Sequence, residues 1–220
     1  MIQLLLLATL AHAQTADEII DKARSVQRIQ SGIQQIKMVL VSRSGSTRER
    51  RFEMRVRKDE GVVRSHVRFS HPTDVAGTQL VMVDHPNQVD EQLLYLPALR
   101  RTNRIAGRAR AGSFMGSDFS FEDLEISDAS GAIHTLVEQT EQTWIIDTTP
   151  GSGSSYDRIR SYISKSDSVP RRVEFFKAGV AIKQLEVLAT EVNGSTVVPT
   201  HTVMKNLQRG TRTELVVEWY

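Results

Sequence analysis

IKMVLVSRSGSTRERRFEMRVRKDEGVVRSHVRF, residues 36–69, alternates apolar and polar positions in three successive runs. Ile36, Met38 and Leu40 alternate with Lys37, Val39 and Val41; Phe52, Met54 and Val56 alternate with Glu53, Arg55 and Arg57. Val63, Val67 and Phe69 alternate with Arg64, His66 and Arg68. A period of two sends successive side chains to opposite faces of a strand. Ser44-Gly45-Ser46 and Asp59-Glu60-Gly61 supply the turns between the runs. The stretch therefore reads as an antiparallel meander with one greasy and one wet face. A one-residue slip of register would put Met54 and Val56 outside, among the arginines.

Upstream, the spacing predicts a helix from Thr15 to Gln30. Thr15 is placed to cap, Asp17 and Glu18 sit in the first turn, and Ile19, Ala23, Val26 and Ile29 recur at helical spacing. Gly32 is expected to end it. Downstream, further strands are expected at Gln79 to Asp84, Gln92 to Leu96, Arg101 to Ile105, Ala132 to Gln139 and Thr143 to Thr148. The last group is Tyr156 to Ser164, Arg171 to Phe176, Ala181 to Thr190, Ser195 to Lys205 and Thr211 to Trp219, with turn signals at Asn193-Gly194 and Arg209-Gly210. Residues 108–128 and 150–155 break the strand pattern, and Ser117 or Ser120 is placed to cap a short helix ending near Leu124. So many strands make a sheet too long to stay flat. The expectation is a mainly β (α+β) fold, curled into a barrel or half-barrel with helical pieces covering the open side.

The 220 residues suit one domain, and 40% hydrophobic with 25% charged residues argues against disorder and against a membrane-spanning chain. No cysteine is present, which excludes disulfides, thiolate-bound zinc, a thiol nucleophile and a lipid-modified N-terminal cysteine. The formal net charge is only +2, but nine Arg/Lys face four acids between Arg43 and Arg68. Arg100, Arg101, Arg104, Arg108 and Arg110 form a second basic cluster, whereas Asp118 to Asp128 holds five acids and no base. A basic patch suits nucleic acid, anionic lipid or an acidic partner. Solvated outer strand faces account for it best, and no nucleic-acid partner is expected.

Ile2 to Leu10 is an apolar run, followed by the small-x-small pattern Ala11-His12-Ala13 and a polar Gln14. The run is too short to span a bilayer. It reads as a signal peptide, residues 1–13, whose true start lies upstream of Met1. Residues 14–220 then form one exported domain in the periplasm.

Catalytic signatures are missing. There is no Gly-x-Ser-x-Gly and no phosphate-binding Gly-rich loop. His66, His71, His85, His134 and His201 are scattered without the i,i+4 pairing of a zinc site. No enzyme, metal or cofactor is expected. Five of the six methionines (Met38, Met54, Met82, Met115 and Met204) lie beyond the leader, and flexible methionine suits a wall that meets variable apolar ligands as well as an ordinary core.

Pro72-Thr73-Asp74-Val75-Ala76-Gly77-Thr78, Leu94-Tyr95-Leu96-Pro97-Ala98-Leu99-Arg100-Arg101 and Ser113-Phe114-Met115-Gly116-Ser117-Asp118-Phe119-Ser120-Phe121-Glu122-Asp123-Leu124 are less generic. With Val169-Pro170-Arg171-Arg172 and Pro199-Thr200 in the tail, they resemble the outer-membrane lipoprotein-sorting family of the LolA/LolB-like superfamily. The resemblance implies an incomplete, strongly curved β-barrel with an N-terminal helix and a short helical lid over an apolar cavity. It also implies a periplasmic carrier of lipoprotein or lipid acyl chains, transient membrane contact, and an RND-type inner-membrane transporter as a partner. The alternative is a module that docks on such a transporter and carries nothing.

Cavity candidates from the alternation are Met38, Leu40, Phe52, Met54, Val56, Val67, Phe69 and Met82. Phe114, Met115, Phe119 and Phe121 are the lid candidates. Asp118, Glu122 and Asp123 are expected on the lid's outer face, one or more of them paired with basic residues such as Arg100, Arg101 or Arg104, which are also candidates for headgroup contact. For the leader, N-terminal sequencing of periplasmic protein is expected to give Gln14 as the first residue; an intact N-terminus in the cytosol overturns this.

Overall fold

The computed structural model describes residues 14–85, 90–125 and 131–219, so the leader expected at residues 1–13 lies outside the described residues. Helix α1, Ala16–Gln27, starts at a reciprocal cap. The Thr15 hydroxyl accepts from the Glu18 N–H at 3.2 Å, and the Glu18 carboxylate accepts from the Thr15 N–H at 2.9 Å. The helix ends before Gln30, and Gly32 is not its terminator. Lys58 N–H donates to Gln30 O at 2.7 Å, so pairing with a neighbouring strand captures these residues first and Gly32 lies inside that ladder.

Thirteen strands follow: β1 Ser31–Val41, β2 Thr47–Asp59, β3 Val62–His71, β4 Gln79–Asp84, β5 Glu91–Leu96, β6 Arg101–Arg104, β7 Ile133–Gln139, β8 Thr143–Thr149, β9 Arg158–Ser164, β10 Pro170–Lys177, β11 Val180–Asn193, β12 Thr196–Asn206 and β13 Thr211–Trp219. All join one antiparallel sheet in the order β6-β5-β4-β3-β2-β1-β13-β12-β11-β10-β9-β8-β7. It consists of two meanders, β1–β6 and β7–β13, zipped together where β1 meets β13, with Met38 opposite Leu215 and Leu40 opposite Thr213. The sheet is not closed into a barrel: its edges are β6 and β7, which are consecutive in the chain. The connection between them, residues 105–132, therefore runs from one edge of the sheet to the other.

Alternation decides what lies inside. Met54 pairs with Val67 and Phe52 with Phe69, while the intervening Arg55, Arg57, Arg64 and Arg68 are exposed. Ring contacts run from the sheet into the crossing segment: Phe52 to Phe69 at 5.1 Å, Phe69 to Phe114 at 5.7 Å and Phe114 to Phe121 at 5.8 Å between centroids. Phe175 of the second meander belongs to the same core, so both halves of the curled sheet press on these rings. A second core forms where Ile19, Ile20 and Ala23 of α1 pack on Ile146 and Ile163 of β8 and β9.

The short helix expected near residues 117–124 is absent. Among its described residues the crossing segment holds only 3-10 turns, at Gly107–Ala111, Phe114–Gly116 and Glu122–Leu124. Two features block a longer helix. Met115 and Gly116 adopt left-handed φ of 51° and 70°, and Phe114 N–H bonds Phe119 O across a tight loop. The N-cap of the last turn is Phe121, and the Ser120 hydroxyl one residue earlier accepts from Asp123 N–H at 3.3 Å. Gly112 is required here because a Cβ would lie 2.9 Å from Ala109 O. Strand β9 also starts later than expected, at Arg158, which frees Tyr156 to face the crossing segment.

Phe69 is 1% exposed at the centre of the ring series. Phe69→Ala is expected to cost about 3–5 kcal/mol in urea denaturation with an unchanged m-value, whereas Arg68→Ala on the outer face should stay within about 0.5 kcal/mol.

Candidate lipid-binding cavity

Between the crossing segment and the sheet lies a cavity of about 470 Å³. The first meander supplies Ile36, Met38, Phe52, Met54, Val56, Val63, Val67 and Met82 to its wall; Val198, Pro199, Leu215 and Val217 come from β12 and β13. Phe114, Phe119 and Leu124 of the crossing segment form the roof, and Arg24, Gln27 and Arg28 of α1 reach the rim. A side chamber of about 180 Å³ shares Ile29, Gln34, Val56 and Val198 with it and extends past Asn193 and Thr196. The cleft beside Asp84 and Asp90, about 20 Å³, holds no more than a water.

Of the residues expected to line a cavity, Met38, Phe52, Met54, Val56, Val67, Met82, Phe114 and Phe119 do so. Leu40, Phe69 and Phe121 are buried in the supporting core, and the half-buried Met115 packs against that core rather than the cavity. Arg100 and Arg101 are exposed, and Arg104 pairs with Glu91 at 3.4 Å on the β5–β6 edge.

The acids of the crossing segment correct a further expectation. Among the described residues none of Asp118, Glu122 and Asp123 pairs with Arg100, Arg101 or Arg104, although Asp123 pairs with another basic residue, Lys183, and the three do not form an outer face. Asp118 is buried, accepting from the Thr211 hydroxyl at 2.5 Å and the Thr213 hydroxyl at 2.8 Å, both on β13. Glu122 accepts from Ser155 N–H at 3.1 Å and Ser155 Oγ at 2.6 Å, and also from Ser154 Oγ. Asp123 accepts from Tyr156 OH at 2.6 Å and Lys183 Nζ at 2.8 Å, its side chain only 1% exposed. The reason is positional: the arginines sit on the far edge strand, while the acids project toward the second meander. A buried carboxylate is tolerated only where donors surround it. Burial and the adjacent Asp123 push the Tyr156 hydroxyl up, so it stays a proton donor in this cluster.

The other side of the roof is held by Gln92 of β5, whose amide donates to Phe121 O at 3.0 Å and to Glu125 at 3.2 Å. Burial pushes the Glu125 carboxyl up, opposed by Arg110, whose Nε donates to it at 2.7 Å. Periodicity gave no hint of Tyr156, Lys183, Thr211 or Thr213 as partners of the roof, since each reads as an ordinary strand or loop residue.

The model of a family described as "Uncharacterized protein" matches residues 61–220. A crystal structure described as an outer membrane lipoprotein-sorting protein domain, from Vibrio parahaemolyticus, superposes with a TM-score of 0.82 and 28% identity, covering 92% of this chain and 89% of that one. The chain belongs to the family whose model it matches, and it shares its fold with this outer membrane lipoprotein-sorting domain. A DUF1329 family protein from Desulfovibrio piger shares the LolA-like fold at 23% identity, TM-score 0.81, over 94% and 92% of the two chains. A LolA superfamily protein from Nitrosomonas europaea does so at 16% identity, TM-score 0.75, over 94% and 93%. No curated protein matches the chain. The fold shared with these structures frames the cavity.

Breaking the roof's buried ion pair should be costly, because the partner is left charged in a dry site. Asp123→Ala is expected to destabilise by about 3–5 kcal/mol in chemical denaturation, and adding Lys183→Met should recover most of that loss.

Proposed function

We propose that the protein is a periplasmic carrier that shelters the acyl chain of a lipoprotein or lipid in the 470 Å³ cavity on its way to the outer membrane. The observation that carries this reading is a volume of that size left unfilled behind apolar walls. Protein interiors ordinarily close-pack, with few voids larger than a water molecule. Such a volume is within the range of small-molecule sites, and its lining is mostly aliphatic and aromatic, as those sites are. Met38, Met54 and Met82 stand in the wall, where unbranched side chains adapt to a chain of variable length.

Magnitudes favour retention. Each buried methylene contributes about 0.8 kcal/mol, so a dozen contribute about 10 kcal/mol before the cost of ordering the chain. Release on a useful timescale then needs a partner, and transient contact with a membrane or an RND-type inner-membrane transporter fills that role in this reading. The lipoprotein-sorting description of the Vibrio structure supports it.

Mass spectrometry of organic extracts from natively purified protein is expected to find lipid at near-stoichiometric amounts. Leu215→Trp, which fills the cavity from β13, should lower the affinity for the uncharged probe N-phenylnaphthylamine at least about tenfold, a change of about 1.4 kcal/mol, with a melting shift of only a few degrees. Lipid-free protein that also fails to bind the probe overturns the carrier reading.

A further inference from the structure

The inner positions of β1 run Gln34, Ile36, Met38, Leu40, so Gln34 stands where the alternation puts an apolar residue, opposite Met54 of β2. It is 5% exposed. Neighbouring glutamines are engaged: Gln27 Nε2 donates to Ala23 O and Gln35 Nε2 to the Glu53 carboxylate, each at 3.0 Å. Among the described residues nothing hydrogen-bonds the Gln34 amide. Nor is that amide sealed in the packing, as Arg28 Nε is. Its polar atoms keep accessible surface, and the side chain lines the cavity.

Ile29, Gln34, Val56 and Val198 line both the 470 Å³ chamber and the 180 Å³ side chamber, and so form the neck between them. Gln34 is the one polar side chain of these four. Ser65 and Thr202 bring hydroxyls to the larger chamber but do not line the smaller one. An unpaired amide in so apolar a place costs free energy, and leucine or methionine would fill the position without that cost. Folding therefore does not account for it. Water is a poor partner, because a buried water makes about three hydrogen bonds and the side chains of the neck offer it a single polar group. A polar group carried in by the cargo, with hydrocarbon on either side, fits better. The amide N–H donors call for a carbonyl oxygen, and no charged side chain stands at the neck to match an ion.

We infer that the cargo is a two-chain acyl ester whose carbonyl accepts from Gln34 Nε2 at the neck, with hydrocarbon in both chambers. The inference rests on the carrier reading and adds to it a residue that reads the linkage rather than the chain.

The test is displacement of N-phenylnaphthylamine from the purified full chain by dioctanoylglycerol and by its diether counterpart dioctylglycerol, which keeps the chains but has no carbonyl. The diester is expected to displace the probe at least about fivefold more effectively, as one hydrogen bond to a buried group that otherwise lacks one implies. In Gln34→Leu that preference should fall to about twofold or less with the diether unaffected, and the melting temperature should hold or rise because the unpaired amide is gone. Gln34→Met, closer in shape, should behave alike. Thr196→Trp, which narrows the smaller chamber alone, should weaken both glycerolipids at least about fivefold while binding the probe as before. Dioctanoyl phosphatidylglycerol and a dioctanoylglyceryl-cysteine peptide carry the same ester, and whichever displaces better names its source as lipid or lipoprotein. Equal potency of diester and diether on the unaltered protein overturns the linkage inference and leaves the carrier reading intact. No displacement by either overturns the carrier reading itself. A diester preference that survives in both Gln34 variants, or a melting temperature more than about five degrees lower in both, overturns the role of Gln34. An unaltered diester affinity in Thr196→Trp overturns the placement of hydrocarbon in the smaller chamber.

Discussion

Strands β6 and β7 are neighbours in the chain but stand at opposite edges of the sheet, because β1 and β13 pair in its middle. Once that pairing is made, the chain that leaves β6 at one edge has to reach β7 at the other. The inner face offers a route on which apolar side chains are buried as they cross, and Phe114, Phe119 and Phe121 lie buried along it. The crossing keeps the two edges bridged without closing them, so a curled sheet of thirteen strands keeps an interior volume that its own side chains do not fill. Cavity and roof are thus two results of one topological constraint.

A roof of short 3-10 turns has little regular hydrogen bonding of its own, and its polar groups need partners elsewhere. Asp118, Glu122 and Asp123 supply the links. Each reaches a different part of the second meander or its approach: Thr211 and Thr213 on β13, the Ser154–Ser155 loop, and Lys183 on β11 with Tyr156. What composition alone suggests to be an acidic outer surface is a set of inward anchors. Desolvating these carboxylates is offset by two or more donors on each.

Most of the strands were legible because half-buried strands write their geometry into a period of two, as Met54 between Glu53 and Arg55 shows. Helix α1 was legible through Thr15 and Glu18, whose cap needs only neighbours three residues apart. The pairing of β1 with β13 was not: Met38 and Leu215 carry no local mark of each other, and such a contact is selected only when the whole sheet assembles. The same holds for the anchors, since Asp118 meets a threonine 95 positions away. The apolar wall residues of β1–β3 were found by alternation, while Leu40 and Phe69 share that pattern and serve the supporting core instead. Periodicity separates inside from outside; it does not separate a wall from the layer behind it.

The ring contacts of Phe114 and the carboxylate anchors hold the roof by forces that a lipid treats differently. An acyl chain competes directly with Phe114 and Phe119 for the apolar wall, exchanging one dispersion contact for another of similar strength. It offers nothing to Thr213, Lys183 or Tyr156 that matches a carboxylate oxygen. In the proposed function, entry of a guest loosens the aromatic attachment while leaving the polar ones in place, to the second meander and, through Gln92, to β5. The crossing segment then stays pinned on both sides at its polar anchors and yields only between them, where the phenyl rings lie.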